Sequence, residues 1–238
     1  MRRVRNWIKR GIPASILRPI FTWRSKRFAA RFSKLNTEEA FTKIYKTHYW
    51  AGASVSGHGS DPARTAKISR ALPSIIRKYE IRSMLDAPCG DFEWMSRVDL
   101  AGVQYTGGDI VKPLVDQLTS KYATEHRKFL ALDLTNDPVP NVDLIFCRDC
   151  FIHLPFDLIR KALANFRRSG SKYLMTTTLI DWPFNFDTSV GGVRGIDFRL
   201  WPFNFPPPLE LVPELDSQPA EDAVICMGLW PIQSLPER

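Results

Sequence analysis

MLDAPCGDFEWM, residues 84–95, begins as an apolar run, meets an acid at Asp86 and then turns through Pro88, Cys89 and Gly90. Beyond the turn, Phe92, Met95 and Val98 recur every third residue, which predicts a helix over Phe92–Val98. Strand, tight turn and helix in that order outline a nucleotide-cradling turn, where glycine lets the backbone approach a ligand without a Cβ. Two positions at which such turns carry glycine hold Pro88 and Phe92 here, and only Gly90 remains. The N–H groups opening the predicted helix suit a carboxylate. Pro88 removes a donor but pre-sets the turn, while Phe92 narrows the gap that a dinucleotide pyrophosphate needs.

Outward from this turn the pattern alternates. Strand-like runs fall at Ser83–Asp86, Gln104–Asp109, Lys128–Asp133, Val142–Cys147 and Lys172–Thr178. Helical stretches at Lys112–Tyr122 and Pro155–Arg168 lie between later ones, the second closed by Gly170. Upstream, Asn36 and Glu39 form a capping box for a helix carrying Phe41, Ile44 and Tyr45, and Asp61-Pro62 starts another with a kink or restart at Pro73. Strand and helix in alternation give an α/β, doubly wound, mostly parallel sheet, whose ligands bind at the carboxyl ends of the strands. At that edge stand Asp86, Asp109, Asp133 and Asp149, four acids after four successive strands. One such acid reads equally well as a helix cap; four in sequence read as a ligand edge.

The net charge of +8 belongs to one end of the chain. Residues 1–36 hold eleven of the 33 lysines and arginines and no acid, so the 202 residues beyond carry 22 bases against all 25 acids. This balance of −3 argues against a long phosphate track and against nucleic acid as a partner. In the basic segment Trp7, Ile8, Ile12, Ile16, Ile20 and Trp23 recur at roughly helical spacing, and Pro13 and Pro19 are expected to divide it into short helices. Arg18 and its neighbours interrupt any signal-length or membrane-spanning apolar run. Three readings fit: an extension docked on or solvated beside the body, an anionic membrane contact through residues 1–34, or an organelle transit segment. The four cysteines do not form a disulfide framework, which points to a reducing, cytoplasmic setting, with peripheral membrane contact as the variant. Cys147 and Cys150 form a CxxC without a second pair to complete a zinc site, so no metal is expected.

The expected organisation is a basic extension over 1–36 and one domain over 37–238. That domain divides into helices at 37–80, a ligand-binding core at 81–178, and a substrate loop with the last strands at 179–238. Residues 181–208 are aromatic and proline-rich, a lid over the sheet edge or an edge hairpin with an apolar underside, before a last strand at Ala223–Trp230.

Residues 50–178, just over half of the chain, resemble the class I S-adenosylmethionine-dependent methyltransferases. That family's first turn has the form Asp-x-Gly-x-Gly-x-Gly, which stands here as Asp86-Ala87-Pro88-Cys89-Gly90-Asp91-Phe92. YWAGASVSGHGSD (residues 49–61) with LDAPCGDFEWM also resembles a bacterial subgroup of these enzymes. The resemblance implies a seven-stranded Rossmann-like sheet with an antiparallel C-terminal edge and an N-terminal helical extension. It implies S-adenosylmethionine as cofactor, held by Asp86, Ala87, Pro88, Cys89 and Gly90, with Asp109 on the ribose and Asp133-Leu134 on the adenine. Cys147 and Arg148 fall beside the methionine moiety. A phosphate-free nucleoside tolerates the loss of outer glycines that a dinucleotide would need.

Methyl transfer asks for alignment first, and for a general base when the acceptor is a hydroxyl or a protonated amine. Asp149 and His153, four apart and on one face if a helix begins there, are the candidate bases; His153 also reads as a structural histidine. Arg194, within GGVRG, is the candidate for an acidic group of the substrate, with a plain surface arginine as the alternative. The expected activity is methyl transfer to a small molecule or glycan. Two alternatives stand beside it: a catalytically idle cofactor-binding module docking through its basic tail, and a nicotinamide-dependent oxidoreductase.

Overall fold

The computed structural model describes residues 12–50, 54–215 and 224–237. Five parallel strands, β1 (Ser83–Asp86), β2 (Gln104–Asp109), β3 (Arg127–Ala131), β4 (Leu144–Cys147) and β5 (Tyr173–Ile180), are joined by β6 (Glu210–Pro213) and β7 (Val224–Pro231). Their order in the sheet is β3-β2-β1-β4-β5-β7-β6, with β7 antiparallel to both β5 and β6. This is the doubly wound, seven-stranded sheet with an antiparallel C-terminal edge that the sequence led us to expect.

Successive strand residues enter opposite faces, so both faces must be apolar. Met84, Leu144, Phe146 and Met175 join one core with helices α3 (Pro62–Lys78) and α4 (Lys112–Tyr122). Leu85, Ile145, Cys147 and Leu174 join the other with α5 (Phe156–Arg168), Phe198, Phe203, Phe205 and Trp230. Ile159, Ala162 and Phe166 form the buried stripe of α5.

Neither of two prolines divides its helix. Pro19 lies inside one helix, α1 (Ala14–Phe28), and Pro73 lies inside α3. The expected helix at Phe92–Val98 is absent; a single 3₁₀ turn occupies Met95–Arg97. Phe92 takes φ 60, a left-handed conformation incompatible with a helix start. Its ring is fully buried among Tyr105, Tyr122 and Phe129, with the Arg127 guanidinium over it. Phe92 therefore points into the core and narrows nothing on the ligand side.

The capping box of α2 (Thr37–Lys46) is present, with Glu39 N–H donating to Asn36 Oδ1 at 2.9 Å and Asn36 N–H to Glu39 Oε2 at 3.0 Å. Asp61 occupies the N-cap of α3, but its carboxylate pairs with His58 Nδ1 at 3.2 Å instead of the helix. Residues 12–36 pack against the body: Leu17 is buried with Leu179, Trp182, Phe184 and Phe186, and Phe32 with Ala40 and Ile44. Trp7, Ile8 and Ala223 lie outside the described residues. Among the described residues no helix is long and apolar enough to cross a membrane.

Candidate functional site

A cavity of about 660 Å³ opens over the carboxyl ends of β1, β2, β4 and β5, a volume within the usual range for small-molecule sites. Asp86, Pro88, Cys89, Gly90, Asp109, Asp133, Leu134, Arg148, Asp149, His153 and Arg194 all line it. Ala87 and Cys147 do not: their side chains are buried in the core beneath the floor. Phe41, Ile44 and Tyr45 of α2 and Phe21 of α1 form part of the wall.

The turn after β1 spends its own donors. Cys89 N–H donates to Gly108 O, Gly90 N–H to Asp109 Oδ2 at 3.2 Å, Asp91 N–H to Ser56 Oγ at 3.0 Å and Phe92 N–H to Cys89 O. With no helix behind it and every one of these N–H groups engaged, the turn offers no anion cradle. The expected carboxylate site at Phe92 is therefore not formed. Gly90 itself is required, since φ is 54 and a Cβ would lie 2.3 Å from Ser56 Oγ. The 54–60 segment thus closes directly on the turn, further held by Ser54 Oγ donating to Asp91 Oδ2 at 2.6 Å.

The acids at the edge have different surroundings. Asp86 is buried and accepts from the Tyr105 hydroxyl at 2.6 Å; burial pushes its carboxyl up to about 7, against the pull of Tyr105 and Arg148. Asp109 ends β2, accepts from Val111 N–H at 3.0 Å and Gly90 N–H, and is pushed up to about 6 by burial despite those bonds. It has no cationic partner among the described residues. Asp133 folds its own loop, accepting from Thr135 N–H, Thr135 Oγ1 and Asn136 Nδ2. Asp149 accepts from Thr177 Oγ1 at 3.3 Å and faces Arg148 Nη1 at 3.4 Å.

Asp149 and His153 do not share a helical face. Residues Phe151–His153 form a 3₁₀ turn, and α5 starts only at Phe156. His153 is buried, stacked on Trp50 with centroids 4.3 Å apart, and its Nδ1 lies 2.8 Å from Gly192 O. A carbonyl only accepts, so Nδ1 carries the proton. Burial holds the imidazole below its usual value of 6.5, so the ring is neutral at physiological pH and Nε2 presents a lone pair.

Arg148 is a strut. Its Nε donates to Glu214 Oε1 at 2.9 Å and its Nη2 to Gly59 O at 2.8 Å, so it ties β4, the 54–60 segment and the end of β6 together. Arg64 adds a second contact to the fully buried Glu214 carboxylate at 3.4 Å. Trp50, Thr177, Glu214 and Phe21 escaped the sequence reading. Only Thr177, the middle of three threonines inside an otherwise apolar strand, carried a local signal; the other three acquire meaning through partners far away in sequence.

No family model and no curated protein matches the chain. Solved structures do. The 1,6-didemethyltoxoflavin-N1-methyltransferase of Burkholderia thailandensis, with 1,6-didemethyltoxoflavin and S-adenosylhomocysteine bound, matches 80% of this chain and 86% of its own, with a TM-score of 0.57 and 16% identity. The N-methyltransferase NodS of Bradyrhizobium japonicum WM9, in complex with S-adenosylhomocysteine, covers 79% of this chain and 97% of its own at a TM-score of 0.55 and 15% identity. The cyclase SpnF reaches 0.50 at 14% identity over 68% of this chain and 67% of its own. The chain has the fold of the class I S-adenosylmethionine-dependent methyltransferases.

Proposed function

We propose that the chain binds S-adenosylmethionine and transfers its methyl group to a small-molecule or glycan acceptor. The observation that carries this reading is the pairing of a buried, cation-free Asp109 carboxylate with a turn whose N–H groups are all taken. A dinucleotide pyrophosphate would find no donors there. A nucleoside without phosphate loses nothing by that, and its ribose hydroxyls can donate to the carboxylate lone pairs that Val111 N–H and Gly90 N–H leave open. Leu134 N–H, without a partner among the described residues, and the Asp133 carboxylate beside it suit an adenine edge. Pro88, Cys89, Gly90 and the 54–60 segment would enclose the methionine end. Ala87 and Cys147 support this floor from below, and Arg148 holds its wall.

When bound, the cofactor supplies a methyl group already activated on sulfonium. What remains for the chain is to exclude water, orient the acceptor and remove its proton. His153 meets the last demand: Gly192 O fixes the tautomer, Trp50 fixes the ring plane, and Nε2 accepts the proton that a hydroxyl or ammonium acceptor gives up. Asp149, committed to Thr177 and facing Arg148, instead shapes the pocket beside it. The cyclase SpnF has a similar fold, so the fold alone does not specify the reaction. Titration calorimetry tests the cofactor: saturable heat with S-adenosylhomocysteine and none with NAD is expected, and the reverse would reinstate the oxidoreductase.

The outer face of α1 supports a second contact. Ile16, Ile20, Trp23 and Phe28 are exposed, Trp23 at 60%, and Arg18, Arg24 and Arg27 flank them on a helix that carries no acid of its own, while Lys26 pairs with Asp187. An aromatic, basic helical face of this kind fits an anionic lipid surface. The protein should therefore sediment with phosphatidylglycerol vesicles and stay in solution with phosphatidylcholine alone. Ile20→Ser with Trp23→Ser should abolish sedimentation; unchanged sedimentation removes the membrane from the reading.

A further inference from the structure

Arg194 is 4% exposed and lines the cavity, and among its buried atoms Nε and Nη2 have no hydrogen-bond partner. Its Nη1 donates to Ile152 O at 3.3 Å, and the guanidinium lies 5.0 Å from the centroid of the Phe156 ring. Burial lowers its pKa to about 9, which leaves it charged at neutral pH. The acid that acts on it is Asp187, whose carboxylate already accepts from Phe156 N–H at 2.9 Å and pairs with Lys26 at 3.6 Å. The other buried or half-buried arginines of the site region have a counter-charge: Arg148 and Arg64 meet Glu214, although Arg64 Nε also lacks a partner, and Arg199 meets Asp197. A buried cation without a counter-charge is costly to maintain.

The two idle atoms lie on one edge of the guanidinium, where Nε–H and an Nη2–H point the same way at the spacing of two oxyanion oxygens; both are closed to water here, so an anion meets that edge once the side chain turns toward the cavity it lines. The same chain shows that edge in use: Arg199 donates from Nε to Asp197 Oδ1 at 3.0 Å and from Nη2 to Asp197 Oδ2 at 2.7 Å. Arg194 belongs to the opposite side of the cavity from the cofactor acids. Its backbone N–H donates to Ile152 O, next to His153, and Leu179 at the end of β5 bonds Ile196. Asp109 ends β2, three strands away from β5 in the sheet, or about 14 Å at about 4.8 Å per strand. Leu179, Trp182, Phe186 and Val193 line the cavity around this side.

We infer that the methyl acceptor carries a carboxylate or phosphate group, bound by the Nε and Nη2 edge of Arg194, on an apolar or aromatic body that fills the adjoining wall. This rests on the methyltransferase reading and names the acceptor class for it. The anion anchors one end of the acceptor, and its nucleophilic atom is then presented near His153.

The test uses the full chain saturated with S-adenosylhomocysteine and follows the fluorescence of Trp50 and Trp182, which line the cavity. The probes are 4-hydroxybenzoate, phenyl phosphate and the neutral 4-hydroxybenzamide. Wild-type protein should bind one or both anions at least about tenfold more tightly than the amide, and Arg194→Gln should erase that preference. Which anion wins separates a carboxylate acceptor from a phosphate one. Arg194→Lys, which keeps the charge and loses the edge, should retain only part of the preference, and serves if the glutamine variant fails to fold. Equal binding of amide and anions, no saturable binding of any probe, or a preference that survives both substitutions would overturn the inference. So would a tenfold loss of S-adenosylhomocysteine affinity in Arg194→Gln, which would assign the guanidinium to the cofactor's own carboxylate. Failure of wild-type protein to bind S-adenosylhomocysteine at all would instead count against the methyltransferase reading, and the probes can then be titrated into the protein alone.

Discussion

His153→Gln should lower turnover by roughly 10²–10⁴-fold, the usual contribution of a positioned general base, with S-adenosylhomocysteine affinity within about threefold of wild type. Glutamine can still donate toward Gly192 O and lie against Trp50, so the pocket keeps its shape while the imidazole lone pair is lost. The pH profile separates chemistry from packing. A base held below 6.5 by burial gives wild-type rates that are flat above neutrality and fall on the acid side as Nε2 takes up a proton. In the glutamine variant that acid limb should vanish from whatever rate remains. The same shift affects stability: with the folded-state pKa depressed, the protein loses stability as pH drops below 6.5, where the unfolded chain binds a proton that the buried ring resists. A glutamine variant with wild-type turnover, or with an intact acid limb, would return His153 to a structural role. Asp149→Asn measures the rival base; a loss confined to that variant would transfer the assignment.

Asp109→Ala should weaken S-adenosylmethionine and S-adenosylhomocysteine by about 10- to 150-fold. Charge-assisted hydrogen bonds of a carboxylate contribute roughly 1.5–3 kcal/mol, at about 1.4 kcal/mol per factor of ten. A 2′-deoxyribose analogue should already bind wild type poorly and lose less on mutation, because one hydroxyl is absent. The carboxyl is pushed up to about 6 in the free protein. Ribose donors favour its ionised form, so affinity should be level above that pH and decline below it as the free protein takes up the proton. In Asp109→Ala that component of the slope should be gone, leaving whatever Asp86, pushed up to about 7, contributes. An alanine variant that folds and binds as tightly as wild type would leave Asp109 as a strand-end acid and remove the main support for the cofactor.

The strands β1 to β5 were legible because buried parallel strands are short apolar runs that end abruptly in acids. Asp86 and Asp109 close β1 and β2, while Asp133 and Asp149 fall two residues beyond β3 and β4. The Phe92–Val98 helix was misread because Phe92, Met95 and Val98 satisfy helical spacing, yet Phe92 is held at a positive φ by rings from β2, β3 and α4 that no local pattern reveals. Strand β6 went unseen because Glu210–Pro213 is half exposed at the sheet edge and ends in a proline. The prolines at 19 and 73 were over-weighted, since each removes one backbone bond from a helix that tertiary packing holds in place. Of the site, the acidic edge and Gly90 were visible. The committed N–H groups, the tautomer lock from Gly192 and the unmatched guanidinium of Arg194 arise from pairs distant in the chain, so only a folded structure discloses them.

Helix α1 joins the cavity wall to an exposed apolar face. Phe21 lines the cavity and Leu17 packs beside it, while Ile20 and Trp23, one residue before and two residues after Phe21, face outward. Thermodynamic reciprocity follows from that geometry. Whatever engages the outer surface more strongly when Phe21 is seated must be engaged more strongly, by the same factor, when the cavity is filled. Where the outer face binds vesicles, as proposed, acceptor affinity measured on vesicles and in free solution differs by the factor by which the acceptor changes vesicle affinity.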